Sequence, residues 1–297
     1  MRQLLRPKPL GDFFLRRIRR TWPLYYLVLA LAWLGYSMGR DFWGPLFDNR
    51  FAHQASIGWY VFFLQDFTVA LGDGLGVITM GTWALALLQQ SYFVLPVVGR
   101  VRSKRSRTWL LLGAFFLMPI LRLVWLRGIA GFVLRADAVW LGAAAAVATD
   151  GGRRLERIPT PYVWVALLVS SLTVIAVGAC QVHLGLLPFL DTTTAAVGYS
   201  FIALFYVSLL LLVLGNRKIA APLAYRPLAK LGRWSYGIYL FHQGVVGWLS
   251  WLFLKEAPQL NDLRSLAVTC LSVAVTVALA GLSWKWLEEP LIGATAG

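Results

Sequence analysis

Residues 99–126 read GRVRSKRSRTWLLLGAFFLMPILRLVWL, and the fold is decided here. Arg100, Arg102, Lys104, Arg105 and Arg107 stand together with no acidic neighbour, and an apolar run begins at Trp109. Lipid offers no hydrogen bonds to an open backbone, so an apolar run of about 20 residues reads as a helix spanning the bilayer. The basic cluster before it reads as a loop held on the cytoplasmic side.

The rest of the chain repeats this alternation. Of 297 residues, 59% are hydrophobic and 14% charged. Soluble domains run nearer 45–50% and about 25%, so this excess is too large for a water-facing core. The apolar runs are 22–39, 83–98, 109–126, 129–149, 162–180, 195–214, 234–254 and 266–284, with Trp and Tyr frequent at their ends. Aromatic ends of this kind belong at the headgroup level. The fold class expected is all-α: a polytopic integral membrane bundle of about eight transmembrane helices, forming one domain over residues 1–297.

Segment 57–71 is the ambiguous one, because it holds Gln65 and Asp66 and runs into Gly72-Asp-Gly-Leu-Gly76. If it crossed, the basic loop at 100–107 would fall outside. If it does not, twenty-one of the 28 Lys and Arg residues lie in segments on one side and four on the other. That asymmetry favours both termini in the cytoplasm. Segment 57–71 is therefore expected to be re-entrant or interfacial, with a polar cavity beside its glycine-rich end. The first run follows a basic stretch without a small-residue cleavage site, and reads as a retained helix.

A net charge of +15 also suits nucleic acid, but these charges sit between apolar runs and form no basic domain. Cys180 and Cys270 read as small buried hydrophobes. His53 and His183 fall in expected outside loops. No H-E-x-x-H, phosphate-binding glycine loop, G-x-S-x-G or Cys/His cluster occurs, so no metal is expected.

Three groups remain that carry chemistry. Arg135 and Asp137 sit in an apolar stretch, where a charge must face the bundle interior with a partner, either as a tie or lining a substrate cavity. At i and i+2 they do not face each other on a helix. Arg16, Arg17, Arg19 and Arg20 precede the first run, either as a topology signal or as a cradle for phosphates. Ser235, Tyr239 and His242 recur at i, i+4 and i+7 on one helix face, as a proton relay or as interhelical glue.

Five motifs in order resemble the acyltransferase-3 family of membrane O-acyltransferases. They are Phe14-Leu-Arg-Arg-Ile-Arg-Arg-Thr-Trp-Pro-Leu-Tyr-Tyr26, Trp83-Ala-Leu-Ala-Leu-Leu-Gln-Gln-Ser-Tyr-Phe-Val-Leu-Pro96, Arg135-Ala-Asp137, Leu231-Gly-Arg-Trp-Ser-Tyr-Gly-Ile-Tyr-Leu-Phe-His242 and Glu288-Glu-Pro290. The resemblance implies transfer of an acyl group, acetyl above all, from acyl-CoA to a hydroxyl of a carbohydrate or glycoside. It implies acyl-CoA held by Arg16, Arg17 and Arg20, a substrate cavity drawing on Arg135, Asp137, Ser235 and Tyr239, and a location in the plasma or inner membrane. Family members carry two further helices at their start, with an arginine and the presumed catalytic histidine, and an acidic residue where this chain has Leu88. His242 is then the imidazole expected to serve as the base. A transporter and a non-catalytic homologue that binds donor or glycan remain as alternatives.

Overall fold

The computed structural model describes residues 10–37, 56–70, 81–125, 135–152, 155, 160–184, 192–256 and 258–293. Every regular element among them is helical. In chain order they are α1 (Leu10–Ser37), α2 (Ile57–Val61), α3 (Gln65–Ala70), α4 (Trp83–Gly99), α5 (Lys104–Trp125), α6 (Asp137–Ala148), α7 (Thr160–Leu184), α8 (Thr192–Gly215), α9 (Arg217–Leu223), α10 (Arg226–Leu254), α11 (Leu263–Ser283), a π-helical turn (Trp284–Glu288) and α12 (Glu289–Gly293).

Four stretches are long and apolar enough to cross a bilayer: Lys104–Leu123, Val197–Gly215, Arg226–Leu254 and Leu263–Gly293. Trp83–Gly99, Asp137–Ala148 and Thr160–Ala176 are apolar but shorter. Large apolar side chains such as Phe116, Ile120, Trp164, Leu168 and Ile175 point outward, which suits helices whose solvent is lipid. The chain is an all-α, multi-pass membrane protein. Cys270 is exposed on α11, contrary to the expectation of burial; lipid accepts an apolar thiol on an outer face as readily as a core does. His53, the glycine-rich run after Leu71 and the side chains of Cys180 and His183 lie outside the described residues.

The described residues gather into two compact units, and each is built by its own logic. In the unit Leu87–Ala224, α6 is rich in alanine, and small side chains let helices approach closely. Leu95, Val98, Leu111, Ala143 and Ala144 make one buried cluster, and Phe115, Leu141 and Ala203 another. Two ion pairs fix α5 against α6. Lys104 Nζ lies 2.6 Å from Asp150 Oδ1 near one end. Near the other, Arg122 donates to both oxygens of Asp137 at 2.7 Å. Each of these last two side chains is only 1% exposed. Ser200 of α8 completes the knot: its hydroxyl accepts from Arg122 at 2.9 Å and donates to Asp137.

In the unit Pro9–Ala86 with Tyr225–Gly297, the described part of segment 57–71 forms two short helices. At 1.5 Å per residue α2 and α3 rise only about 8 and 9 Å, against a hydrocarbon core of about 30 Å. The break between them falls at Phe63, whose φ is +56° and whose ring stacks on Tyr25 at 4.6 Å. Carbonyls at the end of α2 also accept from α1: Tyr25 donates to Tyr60 O at 2.7 Å and Tyr26 to Val61 O at 2.8 Å. α10 packs along α11, with Gly237 against Ala280 and Gly281 against Trp234, where an added Cβ would meet atoms at 3.1–3.3 Å. α11 begins with a reciprocal cap between Asp262 and Ser265.

Removing one partner of the Arg122–Asp137 pair strands a buried charge, which costs about 3–5 kcal/mol. Arg122→Met and Asp137→Leu should each lower the unfolding temperature in detergent sharply, whereas the double variant should recover most of the loss. A double variant as unstable as the sum of the singles contradicts this.

Asp262, outside the spans, is held below the usual aspartate range, chiefly by the Ser265 N–H at 2.7 Å. A depressed folded pKa contributes stability that is full above the unfolded value of about 3.9 and is lost as pH falls through the lower folded value. Unfolding temperature measured against pH should therefore fall at the acid end, and Asp262→Asn should flatten that fall.

Candidate active site

α10 carries a polar stripe in an apolar helix. Tyr236, Tyr239 and Gln243 sit at i, i+3 and i+7, so their side chains share a face. Tyr236 donates its phenolic hydrogen to Thr21 O of α1 at 2.6 Å. Tyr239 donates to Gly81 O, and Gln243 Oε1 accepts the Gly81 N–H at 2.8 Å. One helix face thereby answers both polar groups of Gly81, just before α4. A Cβ there would stand 2.8 Å from Gln243 Oε1, so a larger residue would displace that amide.

His242 lies beside this stripe. Its Nδ1 is 2.7 Å from Tyr239 O. A carbonyl oxygen can only accept, so Nδ1 carries the hydrogen, and in the neutral ring Nε2 keeps its lone pair. An imidazole held in that tautomer is arranged to take a proton at Nε2.

The arginines assigned to the donor are on α1 of the same unit. Arg17 lies 3.6 Å over the Phe13 ring and donates to Phe13 O at 3.3 Å. Arg16 is 4.0 Å from Asp12, a loose pair. Arg20 is exposed and is a cationic neighbour of Glu288. Glu288 itself is buried at the end of the π-helical turn and accepts from Ser283 at 3.3 Å. The contact of Tyr236 with Thr21 brings the residue after Arg20 level with Tyr236. His242 is six residues further on, or about 9 Å along α10.

The other sequence-derived site residues stand differently. Ser235 is exposed, and the Tyr239 hydroxyl goes to Gly81 rather than to its neighbours on the stripe. Asp137 is wholly engaged by Arg122 and Ser200. Arg135 precedes α6 and lies 4.3 Å over the Tyr199 ring. These last belong to the other unit. Leu88 is half-buried on α4. Among the described residues no three His, Cys, Asp or Glu side chains group as metal ligands.

Sequence reasoning missed Tyr236, Gln243, Gly81 and the part played by Glu288. The first two were detectable as a second polar stripe at helical spacing. Gly81 has no such signal, since its importance lies in a contact from residues more than 150 positions away.

The apolar helices, with an oriented imidazole and a basic helix turn in one unit, define a membrane protein with polar groups set into its bundle. A family model described as an acyltransferase domain matches residues 3–284, and the chain belongs to that acyltransferase-3 family. No curated protein and no solved structure matches it.

Gly81→Ala and Gln243→Ala remove the same hydrogen bond. Each should cost about 1 kcal/mol of stability, and the double variant should be no worse than either single, as read by thermal unfolding. Additive losses contradict the contact.

Proposed function

We propose that the chain transfers an acyl group, acetyl in the simplest case, from acyl-CoA to a hydroxyl of a carbohydrate or glycoside. The observation that carries this reading is the His242 Nδ1 contact with Tyr239 O, which leaves Nε2 as the acceptor, in the same unit as the arginine turn of α1. Nε2 takes the proton of the acceptor hydroxyl as its oxygen attacks the thioester carbon. A C–O bond forms, the C–S bond breaks, and the imidazolium returns the proton to the departing sulfur.

Guanidinium forks suit phosphate oxygens, so Arg16, Arg17 and Arg20 are the proposed contacts of the coenzyme phosphates, with Glu288 orienting Arg20. In this reading Asp137 is a structural charge, because Arg122 takes both its oxygens and Ser200 shares one of them. Ser235 and Tyr239 remain the proposed surroundings of the acceptor.

The same reading carries eight spans, residues 57–71 dipping without crossing, both termini in the cytoplasm of a plasma or inner membrane, and one functional domain. The Lys and Arg distribution supports the orientation, and the family match running through both units supports the single domain.

Purified chain given radiolabelled acetyl-CoA and a glycan acceptor should yield labelled ester. His242→Gln should lower kcat about 10²–10⁴-fold with the KM for donor unchanged, whereas Arg20→Glu should raise that KM. Donor binding without any transfer by the unaltered chain would instead assign a non-catalytic role.

A further inference from the structure

The helices α5, α6, α7 and α8 leave a groove of about 230 Å³ among them, wholly within the unit Leu87–Ala224. Along α6 its lining runs from Ala148 to Leu141. These are seven residues apart, so the groove extends about 10 Å along the helix. The α6 wall is largely alanine, at Ala144, Ala145 and Ala148, and larger side chains there would fill the space. A polar ligand finds little to hold. The Thr108 hydroxyl on the wall already donates to Lys104 O at 3.1 Å.

One end of the groove differs in character. Thr108 and Ala148 line it there. One turn before Thr108 is Lys104, and two residues after Ala148 is Asp150, joined at 2.6 Å with about a third of each side chain exposed. The first turn of α5 adds Arg105 and Arg107. Three cations in that turn stand against one carboxylate at this end, so the charge near the mouth is net positive. The slot is linear, apolar and cationic at its rim.

We infer that this groove holds one acyl chain of an anionic membrane phospholipid, with its phosphate at Lys104 and the neighbouring arginines. The chain enters from the bilayer, in which the outer faces of α5 and α7 are immersed. The rim selects the headgroup by charge, and the alanine wall admits the hydrocarbon. This site is separate from the transfer chemistry and does not depend on it.

The test uses the full chain, reconstituted in nanodiscs with equal phosphatidylglycerol and phosphatidylcholine, re-extracted in mild detergent and weighed by native mass spectrometry. One phosphatidylglycerol should remain per chain, with phosphatidylcholine at least about tenfold rarer. Ala145→Leu should reduce retention about tenfold, the loss expected from excluding two methylene groups, at an unchanged unfolding temperature. Lys104→Gln should keep one lipid but equalise the two headgroups. Equal retention of both lipids by the unaltered chain overturns the proposal, as does full retention by Ala145→Leu. Displacement of the lipid by palmitoyl-CoA overturns it too, by making the donor tail the occupant. Spin-labelled phosphatidylglycerol provides a readout free of any variant: an immobilised fraction of about one lipid supports the site, and its absence from the unaltered chain sinks it.

Discussion

Charge and backbone polarity have no water to turn to inside a bilayer, and the knot of Arg122, Asp137 and Ser200 shows how this protein answers that constraint. A lone arginine or aspartate at membrane depth costs about 2.5–3.5 kcal/mol even on lenient scales. Here each charge meets the other through two hydrogen bonds, and a serine from a third helix takes up further capacity. Three helices are joined at one point by the requirement that neither charge be stranded. The alanine contacts of α6 then set how closely those helices lie, and the apolar groove is the space their small side chains leave.

The other unit meets the same constraint with tyrosine. Tyr25, Tyr26, Tyr236 and Tyr239 each donate a phenolic hydrogen to a main-chain carbonyl, at Tyr60, Val61, Thr21 and Gly81. An aromatic body packs in an apolar setting while its hydroxyl satisfies a backbone oxygen that lipid cannot. This use has a chemical consequence. The Tyr239 hydroxyl is committed to Gly81, so the face of α10 does not relay protons from phenol to imidazole. In the proposed reaction the proton therefore goes to His242, whose Nδ1 is held by its own backbone contact.

Much of this was legible in the sequence. The alternation of basic loops with apolar runs gives an all-helical membrane protein, and the arginine turn, Arg135-Ala-Asp137 and the α10 motif were each noticed as unusual in such a setting. Pairing was not legible. The partner of Asp137 is Arg122, fifteen residues back on a different helix, and no periodicity links them. Segment 57–71 was read as re-entrant or interfacial; the left-handed backbone at Phe63 divides its described part into two helices, and nothing marks a phenylalanine as a bearer of positive φ. Gly81 looks like any glycine near a helix start until Tyr239 and Gln243 close on it. Local chemistry announces itself in sequence, whereas contacts between distant helices depend on how they are packed.

The proposed role of His242 depends on which ring nitrogen bears the hydrogen. The chain has three histidines, few enough for solid-state nitrogen NMR of labelled protein in lipid, with His242→Gln assigning the signal. Hydrogen on Nδ1 is what the contact with Tyr239 O requires, and the neutral ring then leaves Nε2 bare. A signal showing hydrogen on Nε2 and a bare Nδ1 would contradict it, because the imidazole would then present no base to an incoming hydroxyl.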